Sequence, residues 1–318
     1  MEHQLNRRRF LGAAAGTGAV ATFGAIAPAA MGKRSRSSDS GDGRGRSGSV
    51  PRNRRGIQLY TMREKMKDQA QASAVLQFLG SIGYTEVETA GNYGWTAAQF
   101  RSELDRAGLR AVAGHDGPDF SNPDWKSTYP ATLAYAAALG QKYTGLAWFP
   151  GPYDTVDWSA LADNFNEAGA MASEAGLQFF YHNHDFEFLN KVNGAPAYDI
   201  LLAESDSELV KFELDLFWIT EGGANAVEYL SADPGRYFGY HVKDHVWGDR
   251  PDAQDFEDAG PGMLDFPDLF DAGDGDGRLD KHYFIEHDEP WLSHPPPDTQ
   301  AEFKTAQAGI DYLKTVRW

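Results

Sequence analysis

Eight short apolar or β-branched runs, at 57–60, 85–89, 110–115, 143–149, 178–184, 210–216, 238–243 and 282–287, recur along this chain with longer stretches between them. Several of those stretches carry the apolar period of an amphipathic helix, at 70–82, 97–107, 130–139, 158–175 and 301–316, and often end on glycine. Strand and helix in alternation imply parallel pairing. Eight such units over roughly 260 residues predict an α/β fold, a single-domain (β/α)8 TIM barrel. A doubly wound open sheet would show a glycine-rich phosphate turn after its first strand, and Tyr60-Thr61-Met62-Arg63 is not one. The Gly273-Asp274-Gly275-Asp276-Gly277 segment lacks calcium-loop spacing and reads as an acidic surface turn.

The N-terminus reads as an address. Asn6-Arg7-Arg8-Arg9-Phe10-Leu11 precedes an uncharged Ala/Gly-rich run that ends near Ala27-Pro28-Ala29, the pattern of a twin-arginine signal peptide over 1–30. That run is too short and too weakly apolar for a permanent membrane span. The Ser, Gly and Arg of 31–55 read as a disordered linker, which leaves 56–318 for the barrel and sends the protein to the periplasm or beyond.

Residues 1–55 hold 11 of the 29 basic and 3 of the 46 acidic residues, so 18 basic residues face 43 acidic ones in the rest, a balance of −25. Such a surface repels nucleic acid and anionic lipid, and it also suits high salt, where self-repulsion is screened. With no cysteine in the chain, disulfides and thiolate chemistry are excluded. A homo-oligomer is left open.

In a barrel the chemistry gathers at the C-terminal strand ends, where side chains two apart share a face. Those ends carry Glu86 and Glu88, then His115, His182 and His184, Glu213 and Asp215, His241 and Lys243, and finally Glu286 and Asp288 around His287. Two histidines and two carboxylates at one level, His182, Asp215, His241 and Glu286, suit one divalent metal ion of the Mn, Zn, Co or Mg kind. Lys243 needs a carboxylate or a substrate oxygen, because a lone buried ammonium is costly. Trp95, Trp148, Trp218 and Trp247 lie at or past strand ends, where they can stack on a sugar ring or seal loops.

Tyr181-His182-Asn183-His184-Asp185-Phe186-Glu187-Phe188, Glu213-Leu214-Asp215-Leu216-Phe217-Trp218, His241-Val242-Lys243-Asp244 and Phe284-Ile285-Glu286-His287-Asp288 resemble the sugar phosphate isomerase/epimerase group of the xylose isomerase-like barrels. Gly56-Ile57-Gln58-Leu59-Tyr60-Thr61, Gly83-Tyr84-Thr85-Glu86-Val87-Glu88 and Gly260-Pro261-Gly262 extend the likeness from Gly56 to the C-terminus. The resemblance implies one metal at His182, Asp215, His241 and Glu286. His182 stands where the family has a glutamate that serves as one of two opposed bases, so a symmetric epimerisation is not implied.

What it does imply is a metal-dependent isomerase or epimerase that abstracts a proton beside a carbonyl and passes through an enediolate. Glu286, His184 and His115 are the candidate acid/base groups, Lys243 binds a substrate oxygen, and Glu88, Asn183, Trp148 and Trp218 contact the substrate. The charge and the export signal point to an unphosphorylated carbohydrate. Two alternatives stand beside it: a lyase or hydratase on 3-keto-glycosides and related keto-sugars, and a carbohydrate-binding barrel without catalysis. An abasic-site endonuclease of the same superfamily would need more metal ligands and a basic DNA face.

Overall fold

Val, Ile, Tyr and Phe supply the eight runs with the residue types that pack on a pleated surface, and all eight become strands. They are β1 (Arg55–Gln58), β2 (Glu86–Thr89), β3 (Arg110–Gly114), β4 (Tyr143–Leu146), β5 (Gln178–His182), β6 (Val210–Asp215), β7 (Tyr237–Val242) and β8 (His282–Ile285). The computed structural model describes residues 48–246, 255–274, 280–296 and 298–318. The expected signal peptide, the linker up to residue 47, Trp247 and residues 275–279 of the acidic turn lie outside them.

The strands form one parallel sheet in the order β3-β2-β1-β8-β7-β6-β5-β4. Between its outer strands, Lys142 N donates to Val112 O at 2.9 Å and Gly117 N to Gly145 O at 2.7 Å, which nearly closes the barrel. The principal helix of each unit is α1 (Gln69–Ile82), α2 (Ala97–Ala107), α3 (Trp125–Leu139), α4 (Trp158–Glu174), α5 (Ala197–Glu204), α6 (Ala226–Ala232), α7 (Phe266–Gly273) and α8 (Ala301–Thr315). Side-chain caps start several of them: Asp68 accepts from Gln71 N, Asp157 from Ala160 N, and Thr96 forms a capping box with Gln99. Gly83 (φ 114°) and Gly108 (φ 70°) end α1 and α2 in the left-handed conformation.

Two boundaries move. Helix α3 starts at Trp125 rather than Pro130, because buried Trp125 and Tyr129 seat its first turns on the barrel while Pro130 removes only one internal hydrogen bond. Residues 48–55, expected in the linker, belong to the fold. Gly48 and Trp318 exchange backbone hydrogen bonds of 2.7 and 3.2 Å, and Val50 is buried. No helix among the described residues is long and apolar enough to cross a membrane.

The barrel interior is layered. At its base Glu86 pairs with Arg110 (2.9 Å) and His282 (2.6 Å), well away from the mouth where the sequence put it. Above these lies an apolar plug of Val112, Ala113, Phe180, Phe238 and Phe284, with Tyr143 stacked on Phe238. Gly56 and Gly145 admit the plug, since a Cβ on either would come within 2.5 Å of Phe284 or Phe180. The ladders shift register at Val87/Glu88 against β3 and at Phe212/Glu213 against β7, just where the polar upper layers begin.

Candidate active site

Four side chains crown the lumen. Asp215 ends β6 and also caps the short helix Leu216–Glu221, where its Oδ1 accepts from Phe217 N (2.9 Å) and Trp218 N (2.8 Å). That double bond fixes the carboxylate and leaves Oδ2 for the lumen, without a hydrogen bond but 3.0 Å from Lys243 Nζ. His241 Nδ1 lies 2.9 Å from Glu286 Oε2 and 3.7 Å from Asp215 Oδ2, and His182 Nε2 lies 3.8 Å from the same Asp215 oxygen. The ligand atoms of His182, Asp215, His241 and Glu286 all fall within 4.8 Å of one another, and all four side chains are buried.

A second polar layer sits one step deeper. Glu213 Oε2 meets three imidazole nitrogens, His241 Nε2 at 3.0 Å, His182 Nδ1 at 3.1 Å and His115 Nε2 at 3.4 Å. Glu88 Oε2 reaches His241 Nε2 at 2.6 Å and His115 Nε2 at 3.3 Å, and accepts from Gln58 Nε2 at 2.8 Å. Glu88 and His115 are therefore tied into the hydrogen-bonded layer beneath the crown. Glu213, given no role from the sequence, is the hub. Its position two residues before Asp215 on one strand was the available signal.

Lys243 Nζ is held by Glu286 (2.6 Å), Asp288 (2.7 Å) and Asp215 (3.0 Å), the carboxylate partners its burial demands. His184 Nδ1 and Trp218 Nε1 are buried without a hydrogen-bond partner. Their rings lie 5.3 Å apart, and Lys243 Nζ sits 5.4 Å over the Trp218 ring. Asn183 Oδ1 accepts from Asp215 N at 3.0 Å and ties the ends of β5 and β6 together. Trp148 is 52% exposed in the loop after β4, whereas Trp95 packs into the core against Phe100. His287 faces Ser293 at 3.0 Å, away from Glu286 as alternation requires.

Burial, and then the imidazoles of His241, His184 and His115 beside it, push the His182 imidazole well below its ordinary range. His184 is lowered to about 3 by burial and then by Lys243, so it is neutral. His241 goes the other way, because Glu213, Glu286 and Glu88 outweigh the desolvation that opposes its charge. Asp288 is raised to about 6, chiefly by burial.

The crown fits a divalent ion. Two imidazoles and two carboxylates converge, and around them Glu88 Oε1, Glu213 Oε1 and Asp215 Oδ2 are buried without a hydrogen bond, more than a self-satisfied network would leave.

The chain is similar to known proteins of this architecture. Inosose dehydratase from Clostridium perfringens (strain ATCC 13124) is 27% identical over 165 residues, 46% of this chain and 54% of that protein, so the chain spans about half the length of the curated relative. A sugar phosphate isomerase/epimerase from Parabacteroides distasonis superposes with a TM-score of 0.65 at 26% identity, covering 82% of this chain and 98% of the other. IolI, solved with a bound zinc atom, shares the fold at a TM-score of 0.61 and 14% identity over 81% of this chain and 95% of its own. The family model for the xylose isomerase-like TIM barrel matches residues 76–315, and with its eight parallel strands this chain belongs to that family.

Proposed function

We propose that this barrel is a metal-dependent lyase that eliminates water or an alcohol from an unphosphorylated cyclic keto-sugar or inosose. The observation that carries the reading is the free Nδ1 of His184, buried and unpaired beside Lys243 and Trp218 at the rim of the crown. A divalent ion held by His182, Asp215, His241 and Glu286 would supply Lewis acidity toward a ketone oxygen and an adjacent hydroxyl. His184 takes the proton from the carbon beside the ketone, and the electron pair forms the carbon–carbon double bond as the β C–O bond breaks. The departing oxygen recovers the proton from His184 and leaves as water or alcohol. Lys243 binds the ketone oxygen as negative charge grows there.

One acid/base group that gives back the proton it took suffices for elimination, whereas epimerisation needs a second on the opposite face, and His182 replaces that carboxylate here. The similarity to inosose dehydratase points the same way. Arg63 is engaged by the carbonyls of Asp288 and Tyr60, which supports a substrate without phosphate. An exported location suits such a substrate. Isomerisation or epimerisation through the same proton abstraction is the second reading, favoured by the likeness to the Parabacteroides protein.

The test is incubation of the metal-loaded protein in D2O with ketoses, inososes and 3-keto-glycosides. Release of water or aglycone with a new conjugated enone is expected. Deuterium incorporation without release would select the isomerase reading, and binding without turnover a carbohydrate-binding barrel.

A further inference from the structure

We infer that Glu213 is a positioning residue that fixes which nitrogen of His182 and of His241 carries the proton, and so aims the two opposite lone pairs at the metal crown. The inference rests on the metal site of the preceding section and not on the reaction assigned to it.

The deeper layer has the spacing of a second metal cage, since ligand atoms of His115, His182, Glu213 and His241 also lie within 4.8 Å of one another. The hydrogen-bond logic argues for a different use. Tyr60 N donates to Gln58 Oε1 at 3.0 Å, which settles the orientation of that amide and turns its Nε2 inward. Gln58 Nε2 then faces Glu88 Oε2 (2.8 Å) and His115 Nδ1 (3.2 Å), so His115 Nδ1 is an acceptor and its proton resides on Nε2. That Nε2–H points at the Glu88 and Glu213 oxygens and has no lone pair to give a cation.

The same acceptor oxygen of Glu213 faces Nε2 of His241 and Nδ1 of His182. A carboxylate accepts only, so His182 Nδ1 and His241 Nε2, the latter shared with Glu88 Oε2 at 2.6 Å, are N–H donors, and His241 Nδ1, 2.9 Å from Glu286 Oε2, is the nitrogen whose proton a bound ion would displace. The remaining nitrogens, Nδ1 of His241 and Nε2 of His182, are the ones that face Asp215 and Glu286. The two histidines would thus bind through unlike atoms because the carboxylates beneath them, Glu213 for His182 and Glu213 together with Glu88 for His241, take the proton-bearing nitrogen of each. The deeper carboxylate also restores, one layer down, the negative charge that His182 withholds from the crown. Such carboxylate–imidazole–metal arrangements raise ligand basicity and typically strengthen metal binding by about 10–100-fold.

The test uses the full chain labelled with 15N-histidine and loaded with Zn2+. Long-range 1H–15N spectra should show His241 coordinated through Nδ1 and His182 through Nε2, each with a proton on the other nitrogen. Glu213→Gln, which can offer N–H groups to the histidines, should weaken Zn2+ binding about 10–100-fold in a chelator competition. Glu213→Asp, which keeps the carboxylate, should restore part of the affinity. Coordination of wild-type His182 through Nδ1 would overturn the inference even if Glu213→Gln failed to fold. Unchanged zinc affinity in a folded Glu213→Gln would overturn it as well. A protein that binds zinc in this manner yet turns over no keto-sugar would sink the proposed reaction and leave this assignment standing.

Discussion

Lys243 and Glu286 form an ion pair 2.6 Å long inside the barrel mouth, with the ammonium also within 3.0 Å of Asp215 and 2.7 Å of Asp288. The cation neutralises the crown without being one of its four ligands. Replacing it with an apolar side chain of similar length, Lys243→Met, should leave the metal content near wild type and lower turnover by roughly 100-fold or more, as loss of a charge-stabilising donor does. Metal analysis alongside steady-state kinetics checks both halves. Loss of metal in a folded Lys243→Met would show that the lysine holds the crown together.

Asp215 and Glu286 should behave differently from the lysine. Asp215→Ala and Glu286→Gln are each expected to abolish activity and metal retention together, since each removes a carboxylate of the crown. Wild-type metal content in Asp215→Ala would refute its assignment as a ligand. Chelation of the native protein should abolish activity and lower the melting temperature, because an ion present at 100 times its Kd adds about 2.7 kcal/mol to the folded state. Restoration on adding Zn2+, Mn2+ or Co2+ completes that experiment.

Glu187 offers a prediction about pH. It is fully buried, accepts from Tyr181 Oη at 2.5 Å and from His184 N at 2.9 Å, and burial raises its carboxyl to about 8. The folded protein therefore keeps a proton that the unfolded chain releases near pH 4.3. The stability this contributes is fully present below about pH 4.3 and lost as pH rises toward 8, by a few kcal/mol in order of magnitude. Glu187→Gln should flatten that slope in chemical denaturation from pH 4.5 to 8. An unchanged slope would show that the carboxyl is ionised throughout.

Asp244, two residues past the end of β7, organises the loop that follows it. Its carboxylate accepts from the backbone N–H groups of His245, Gly260, Gly262 and Leu264, and a Cβ at Gly262 would collide with it at 2.3 Å. Asp244→Ala should cost about 2–4 kcal/mol by leaving these donors without their partner. Hydrogen exchange of residues 258–264 should accelerate more than that of β7. Uniform acceleration through the barrel would instead mean that the loop is not a separate unit.

The strands were legible because each is an apolar run bounded by turn residues, and the crown was legible because histidines and carboxylates stand within one residue of the ends of β5 to β8. The deeper layer was not. Glu88, His115 and Glu213 looked like further mouth residues, and the pairing of carboxylates from β2 and β6 with the same histidines, beside register shifts at Glu88 and Glu213, appears in no single segment of sequence. The backbone bond of Asn183 was hidden for a related reason: a polar side chain at a strand end can serve the neighbouring backbone as well as a ligand. The first residues of the barrel were masked by composition, since Arg52, Arg54 and Arg55 continue the basic character of the preceding linker, although Arg54 already reaches His282 at the barrel base and Arg55 opens β1.

The backbone exchange between Gly48 and Trp318 makes the eight units a ring in space as well as in sequence pattern, with the seam at the base of the barrel. A ring with its ends in hydrogen-bond contact has no privileged starting point. A short peptide joining residues 48 and 318, with a cut in an exposed base-side turn such as the one at Gly176, should yield a rearranged chain that keeps the crown intact.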